Sequence, residues 1–203
     1  MTRPMSGGMN DGMNRGGASF TILQRVLHWL MAIAIIAMLF VGVGMVSTIA
    51  PKYVPLLVTH KTLGIAILVL ALIRIAVRLR SGTPPLPSDL PPPMKLAAVL
   101  SHYALYASMI AMPLIGWAML SAGGYPIVLL WGIHLPPIAP ASASLHALLW
   151  TAHQYLALVF FALILLHLAA ALFHALIRRD GVFRSMTVGM TAGATPQDRA
   201  PAE

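Results

Sequence analysis

His153 and His167 lie fourteen residues apart within one apolar stretch, 147–177, that carries no charged residue. On a helix, fourteen steps of about 100° fall roughly 40° short of four full turns, so both imidazoles share a face, about 21 Å apart along the axis. The stretch is long enough to cross a bilayer, and the two rings then stand near its opposite surfaces. Polar side chains at such depths are costly and usually mark a functional path. Two on one stripe point to two redox or metal centres stacked across a membrane.

The elements that must position these rings follow from composition. With 59% hydrophobic and 9% charged residues in 203, the chain cannot hide its apolar side chains in one soluble core, and it reads as an all-α membrane protein. Four segments are long enough to span: about 27–46, 56–77, 96–120 and 147–177. They predict a four-helix bundle occupying 21–184. The Gly- and Met-rich residues 1–20 and the residues 185–203 are expected to be disordered tails. The tail methionines Met1, Met5, Met9 and Met13 recur every four residues, as a thioether copper site would need, but the glycines among them argue against the helix that would align them.

Thirteen Lys and Arg against five acids give a net charge of +8, and the bases are unevenly placed. Arg3, Arg15 and Arg25 precede the first span. Arg74, Arg78, Arg80 and Lys95 lie between the second and third, and Arg178, Arg179, Arg184 and Arg199 follow or end the fourth. Only Lys52 and Lys61 fall on the other side. The positive-inside rule puts both termini in the cytoplasm. Bases at membrane ends do not make a nucleic-acid surface, so no nucleic-acid partner is expected. The absence of Cys excludes disulfides, iron–sulfur ligation, thiolate zinc sites and covalent haem attachment.

Two connections stand out. Residues 81–93, S-G-T-P-P-L-P-S-D-L-P-P-P, form a stiff extended link on the basic side. Residues 121–145 hold no charge, and their apolar part, 127–133, is expected at the membrane interface with Tyr125 and Trp131 as anchors. Pro113 falls inside the third span, where it removes a helix hydrogen bond and favours a kink.

Depth sorts the eight histidines. His28 opens the first span from the basic side and His60 opens the second from the opposite side. The fourth span runs back, so His60 matches His153 and His28 matches His167. Each pair draws one ligand from each of two helices, an arrangement suited to six-coordinate haem iron with a flat macrocycle between helices. Any such haem is held noncovalently. A lone histidine at these depths is more often interfacial or internally hydrogen-bonded, but four matching at two levels reverse that preference. Tetrahedral zinc would want further ligands, and no Asp or Glu lies within the spans. His102 is the rival for the inner level, and His134 and His146 have a solvated or interfacial role as their default. Arg74, fourteen residues past His60, reaches the inner level, where a cation can pair with haem propionates; Arg25 and Arg78 are further choices, and positive-inside anchoring is the equal alternative for all three. His174 lies about 10 Å beyond His167, too far to ligate the same iron but placed to hydrogen-bond a quinone head or relay protons, with an interfacial role equally open.

These placements stand beside a resemblance. The motifs L-Q-R-V-L-H-W-L at 23–30, T-H-K-T-L-G at 59–64, R-I-A-V-R-L-R with T-P-P at 74–85, S-H-Y-A-L-Y and M-P-L-I-G-W within 101–117, and A-H-Q-Y and L-H-L-A-A-A-L-F-H within 152–174 together resemble the bacterial cytochrome b561 family of four-helix dihaem membrane cytochromes. The resemblance covers about residues 23–184. It implies two haem b groups with His28, His60, His153 and His167 as axial ligands, and it matches His174 to the family's quinone-side histidine. It further implies a multi-pass protein of the bacterial inner membrane, passing single electrons between the ubiquinone pool and a periplasmic partner. In one branch that partner looks like superoxide, although only Lys52 and Lys61 are available to attract an anion on the outer side. Two other readings remain: a cytochrome b anchor subunit of a larger dehydrogenase or hydrogenase, which the short loops disfavour for want of a docking domain, and a histidine-lined metal or proton transporter.

Overall fold

The computed structural model describes residues 20–47, 51–86 and 88–187. The Met-rich segment and the tail residues 1–19 and 188–203 lie outside the described residues, whereas residues 20 and 185–187 are described. Four long helices carry the fold: α1 (Ile22–Val46), α2 (Tyr53–Ser81), α3 (Pro92–Ala122) and α4 (Ala143–Leu172), the last running on through a π turn, Phe173–Arg178. A short helix, α5 (Val182–Ser185), follows. All four long helices have the length and apolarity to cross a membrane.

Each helix runs a few residues beyond the apolar stretch read from composition, because its ends are set by caps and not by hydropathy. Thr21 and Gln24 form a reciprocal capping box at the start of α1. Pro91 and Pro92 open α3, where a missing N–H costs nothing. The Ser142 hydroxyl accepts from the Leu145 N–H at the start of α4. Arg78 and Arg80 occupy the last turn of α2, where cations complement the helix dipole, and Gly82 ends it at φ 68°. Helix α3 passes through Pro113 as one continuous element.

Helix α1 packs along α2, α2 along α3, and α3 along α4. The core sits at mid-height, where Met31, Ile67, Met109 and the fully buried Ala71 meet, with Phe160 and Tyr106 against them. Large apolar side chains face outward elsewhere, Phe40 at 75% and Leu79 at 80% exposure among them, as lipid-facing helices require.

One end of the bundle is basic, holding Arg25, Arg74, Arg78, Arg80, Lys95, Arg178, Arg179 and Arg184 among the described residues. At the other end, the α3–α4 connection makes a small antiparallel hairpin, β1 (Ile127–Val128) with β2 (His134–Leu135), a local departure from the all-helical expectation. The Leu130 N–H donates to the Thr62 hydroxyl at 2.9 Å, and Trp117 Nε1 donates to the Pro136 carbonyl at 2.8 Å, tying the connection to α2 and α3. At its tip Trp131 is 89% exposed and takes φ 59°, which presents its ring outward at the expected membrane interface.

Candidate functional site

The paired histidines lie where helix packing is loosest. Helix α4 packs closely on α3 but not on α1 or α2. Across that separation, His60 on α2 and His153 on α4 stand with ring centroids 6.2 Å apart at 64°. Near the basic end, His28 on α1 and His167 on α4 repeat the distance, 6.2 Å at 71°. The structure therefore brings together both pairs that depth matching proposes.

Two imidazoles that bind one ion through one nitrogen each, at about 2 Å per bond, hold their centroids about 6 Å apart. Both pairs meet that requirement. The Nδ1 atoms of His60 and His153 are buried without a hydrogen-bond partner among the described residues, an unusual state for buried polar atoms. Gly116 of α3 makes room for one of the rings: a Cβ there would lie 3.3 Å from His153 Cε1. No group of three or more His, Cys, Asp or Glu among the described residues is arranged to hold a metal ion by itself. Each pair supplies two ligands, so a bound iron would need its remaining ones from a macrocycle. These residues fit a haem at each level.

His102 joins the basic-end level from α3. Its ring lies 5.6 Å from His167 at 80°, and its Nδ1 is 2.6 Å from the Ala98 carbonyl one turn earlier. It stands against the same partner as His28, at a shorter separation and with one nitrogen already engaged. His146, in the first turn of α4, has its Nδ1 2.8 Å from the Met119 carbonyl. His134 lies exposed on β2.

Arg74 reaches the same level as His28, His102 and His167, within electrostatic range of all three. Its Nε donates to the Tyr106 hydroxyl at 2.9 Å, while its Nη1 is buried and unpartnered among the described residues. Arg78 lies over the Tyr106 ring, 5.7 Å from its centroid. Arg25 donates through Nη1 to the Thr187 carbonyl at 3.1 Å, and its Nε is also buried without a partner. Buried guanidinium nitrogens left free in this way suit an anionic ligand edge such as a propionate. Sequence reading missed Tyr106; its signal is the interval of four from His102, which puts both on one face of α3.

His174 lies in the π turn beyond His167. Its Nδ1 is 2.6 Å from Asp180 Oδ2, and Arg178 bridges Asp180 and Asp89. Neither acid was singled out from sequence.

Residues 19–189 match the family model described as prokaryotic cytochrome b561. The chain belongs to that family. It is 31% identical over 168 residues to the probable superoxide oxidase CybB of Yersinia pestis, covering 82% of this chain and 94% of that protein. It is 32% identical over 186 residues to cytochrome b561 homolog 1 of Escherichia coli (strain K12), covering 86% and 97%. Cytochrome b561 homolog 2 of the same organism is 29% identical over 176 residues, covering 82% and 90%. Membership of the cytochrome b561 family, together with four apolar helices, makes this a multi-pass protein of the bacterial inner membrane that binds b-type haem and takes part in electron transport.

Proposed function

We propose that the protein carries single electrons across the inner membrane between a periplasmic donor and ubiquinone, using two noncovalent b haems. One is held by His60 and His153 at the outer level, the other by His28 and His167 at the inner level. When bound, the haems supply the one-electron chemistry, and the protein fixes their positions and surroundings. The apolar layer of Met31, Ile67, Ala71 and Met109 lies between the two levels and keeps water out of it. Arg74 offers its free Nη1 to a propionate of the inner group. The excess of bases at the end that holds Arg25, Arg74 and Arg178 favours placing both termini in the cytoplasm. Quinone is assigned to that end, beside His174.

The donor in this reading is superoxide, the substrate in the name of the Yersinia relative. Two superoxide anions each give up one electron and leave as dioxygen, and one ubiquinone takes two electrons and two protons to become ubiquinol. The observation that carries the proposal is the equal 6.2 Å separation of the two histidine pairs, at a distance suited to one axially ligated ion each.

The decisive experiment is an anaerobic reduced-minus-oxidised spectrum of the purified protein with a haem count per chain, followed by additions of superoxide and of ubiquinol. The expected outcome is a b-type alpha band, two haems per chain and reduction by both. A colourless protein, after expression with ample haem, would refute the haem assignment. A reduced spectrum that responds to neither addition would refute the partners alone.

A further inference from the structure

Helix α4 does not end as an ordinary α-helix. The π turn Phe173–Arg178 is closed by the Arg179 N–H donating to the His174 carbonyl at 2.8 Å, and Arg179 then takes the left-handed conformation at φ 53°. On a continued α-helix, residues six apart would point about 240° from each other. The wider turn and the reversal instead carry Asp180 back onto His174, with Nδ1 and Oδ2 2.6 Å apart. Single π turns of this kind recur at functional sites.

The surroundings fix the carboxylate as an acceptor. The same Oδ2 accepts from Arg178 Nε at 3.0 Å, and Oδ1 accepts from the Val182 N–H at 3.2 Å. Arg178 Nη2 also reaches Asp89 Oδ2 on the proline-rich connector at 2.6 Å. The side chains of His174 and Asp180 are only 15% and 10% exposed. Phe173 meets the His174 ring edge-on, with centroids 5.9 Å apart. Of the other nearby bases, Arg179 is exposed and donates to the Leu176 carbonyl, and Arg184 lies on α5. An ionised carboxylate can only accept, so Nδ1 carries a proton, and in the neutral tautomer this leaves Nε2 bare.

We propose that His174 and Asp180 form a proton-exchanging dyad for the quinone at the basic membrane surface, in which Asp180 is the positioning residue that fixes the tautomer of His174. This rests on the quinone reading given above. In quinol oxidation, a quinol O–H bond breaks and an Nε2–H bond forms on His174, and no electron moves in that step. The charge gained by the ring faces the Asp180 carboxylate, and the proton then leaves to cytoplasmic water. In quinone reduction the same bonds form and break in reverse.

The test uses the haem-loaded protein in lipid nanodiscs, with decylubiquinol as the probe and haem reduction as the signal. Asp180→Asn is expected to lower the maximal rate by about a hundredfold while KM stays within about twofold, and Asp180→Glu to recover most of the rate. The dithionite-reduced spectrum of each variant checks that it is folded and loaded. The unsubstituted protein is expected to react more slowly in D2O, a measurement that needs no variant. An Asp180→Asn protein as fast as the parent, an Asp180→Glu protein as slow as Asp180→Asn, or a parent rate unchanged in D2O would each overturn the dyad. A loaded parent that decylubiquinol does not reduce would instead overturn the quinone reading beneath it.

Discussion

The rings of His60 on α2 and His153 on α4 stand 6.2 Å apart, and His28 on α1 repeats that distance to His167 on α4. The pairs share only helix α4, so one should be removable without the other. His60→Ala or His153→Ala is expected to lower haem content from two per chain to one, and His28→Ala or His167→Ala to remove the other. The double variant His153→Ala/His167→Ala should be colourless. Haem per chain by pyridine haemochrome checks this, and full haem in either single α4 variant would defeat the ligand assignment.

Gly116 offers a subtler route to the His60–His153 level. A Cβ there meets His153 Cε1 at 3.3 Å, tight enough that the ring must give by a few tenths of an ångström. Alanine also favours a helix over glycine by about 1 kcal/mol, so the two effects separate in different measurements. Gly116→Ala is expected to weaken haem retention at the His60–His153 level without lowering the unfolding temperature. Gly116→Val, with two more methyl groups, should abolish retention at that level and spare the His28–His167 level. Equal loss from both levels would show that Gly116 acts through general packing instead.

Much of this arrangement is legible from the chain because helix periodicity is rigid. The fourteen-residue interval between His153 and His167 fixes a common face on a helix, and span direction then assigns His60 and His28 to matching depths. The family and the membrane location were legible for the same reason, since the motifs that carry them surround those histidines. What escaped depends on places where the helix period fails or where the partner is distant in the chain. Asp180 reaches His174 only because a π turn and a left-handed residue intervene, and no periodic rule places it there. Tyr106 and Arg74 are thirty-two residues apart, joined by the packing of α3 on α2. Helix ends beyond the apolar stretches were set by Thr21, Pro91 and Ser142, whose capping acts outside the hydrocarbon layer that hydropathy reads.

Arg74 donates to Tyr106 through Nε and keeps Nη1 buried and free among the described residues. A buried donor without a partner costs about 1–3 kcal/mol, and more when charged, so an anionic ligand edge would relieve it. A fixed positive charge beside a redox centre also favours the added electron. Arg74→Gln is therefore expected to lower the midpoint potential of only the haem proposed at the His28–His167 level. Arg74→Lys should recover part of the shift, because a point charge lacks the planar fork. Tyr106→Phe is expected to produce a smaller fall by releasing the guanidinium from its orientation. Potentiometric titration would resolve the two haems proposed, and an unchanged potential at the His28–His167 level in Arg74→Gln would remove Arg74 from the site.

Asp180 should make the basic end of α4 sensitive to acid. Burial alone raises its carboxyl, but the hydrogen bonds from His174, Arg178 and the Val182 backbone outweigh it and hold the group below the usual carboxylate range. A depressed value in the folded state contributes stability in full above the unfolded-chain value, about 3.9, and loses it as pH falls through the folded value. The parent protein should thus keep the π turn and α5 closed from neutral pH down to about 5, and open them at more acid pH. Asp180→Asn, whose side-chain oxygen can still accept from the Val182 N–H, should leave the segment closed but less protected at neutral pH and flatten its acid dependence. Amide hydrogen exchange of residues 173–187, followed from pH 7 toward pH 3 with correction for intrinsic rates, reads this directly. A gap between parent and Asp180→Asn that stays constant down to the most acid pH would mean that the carboxylate charge is not what closes the segment.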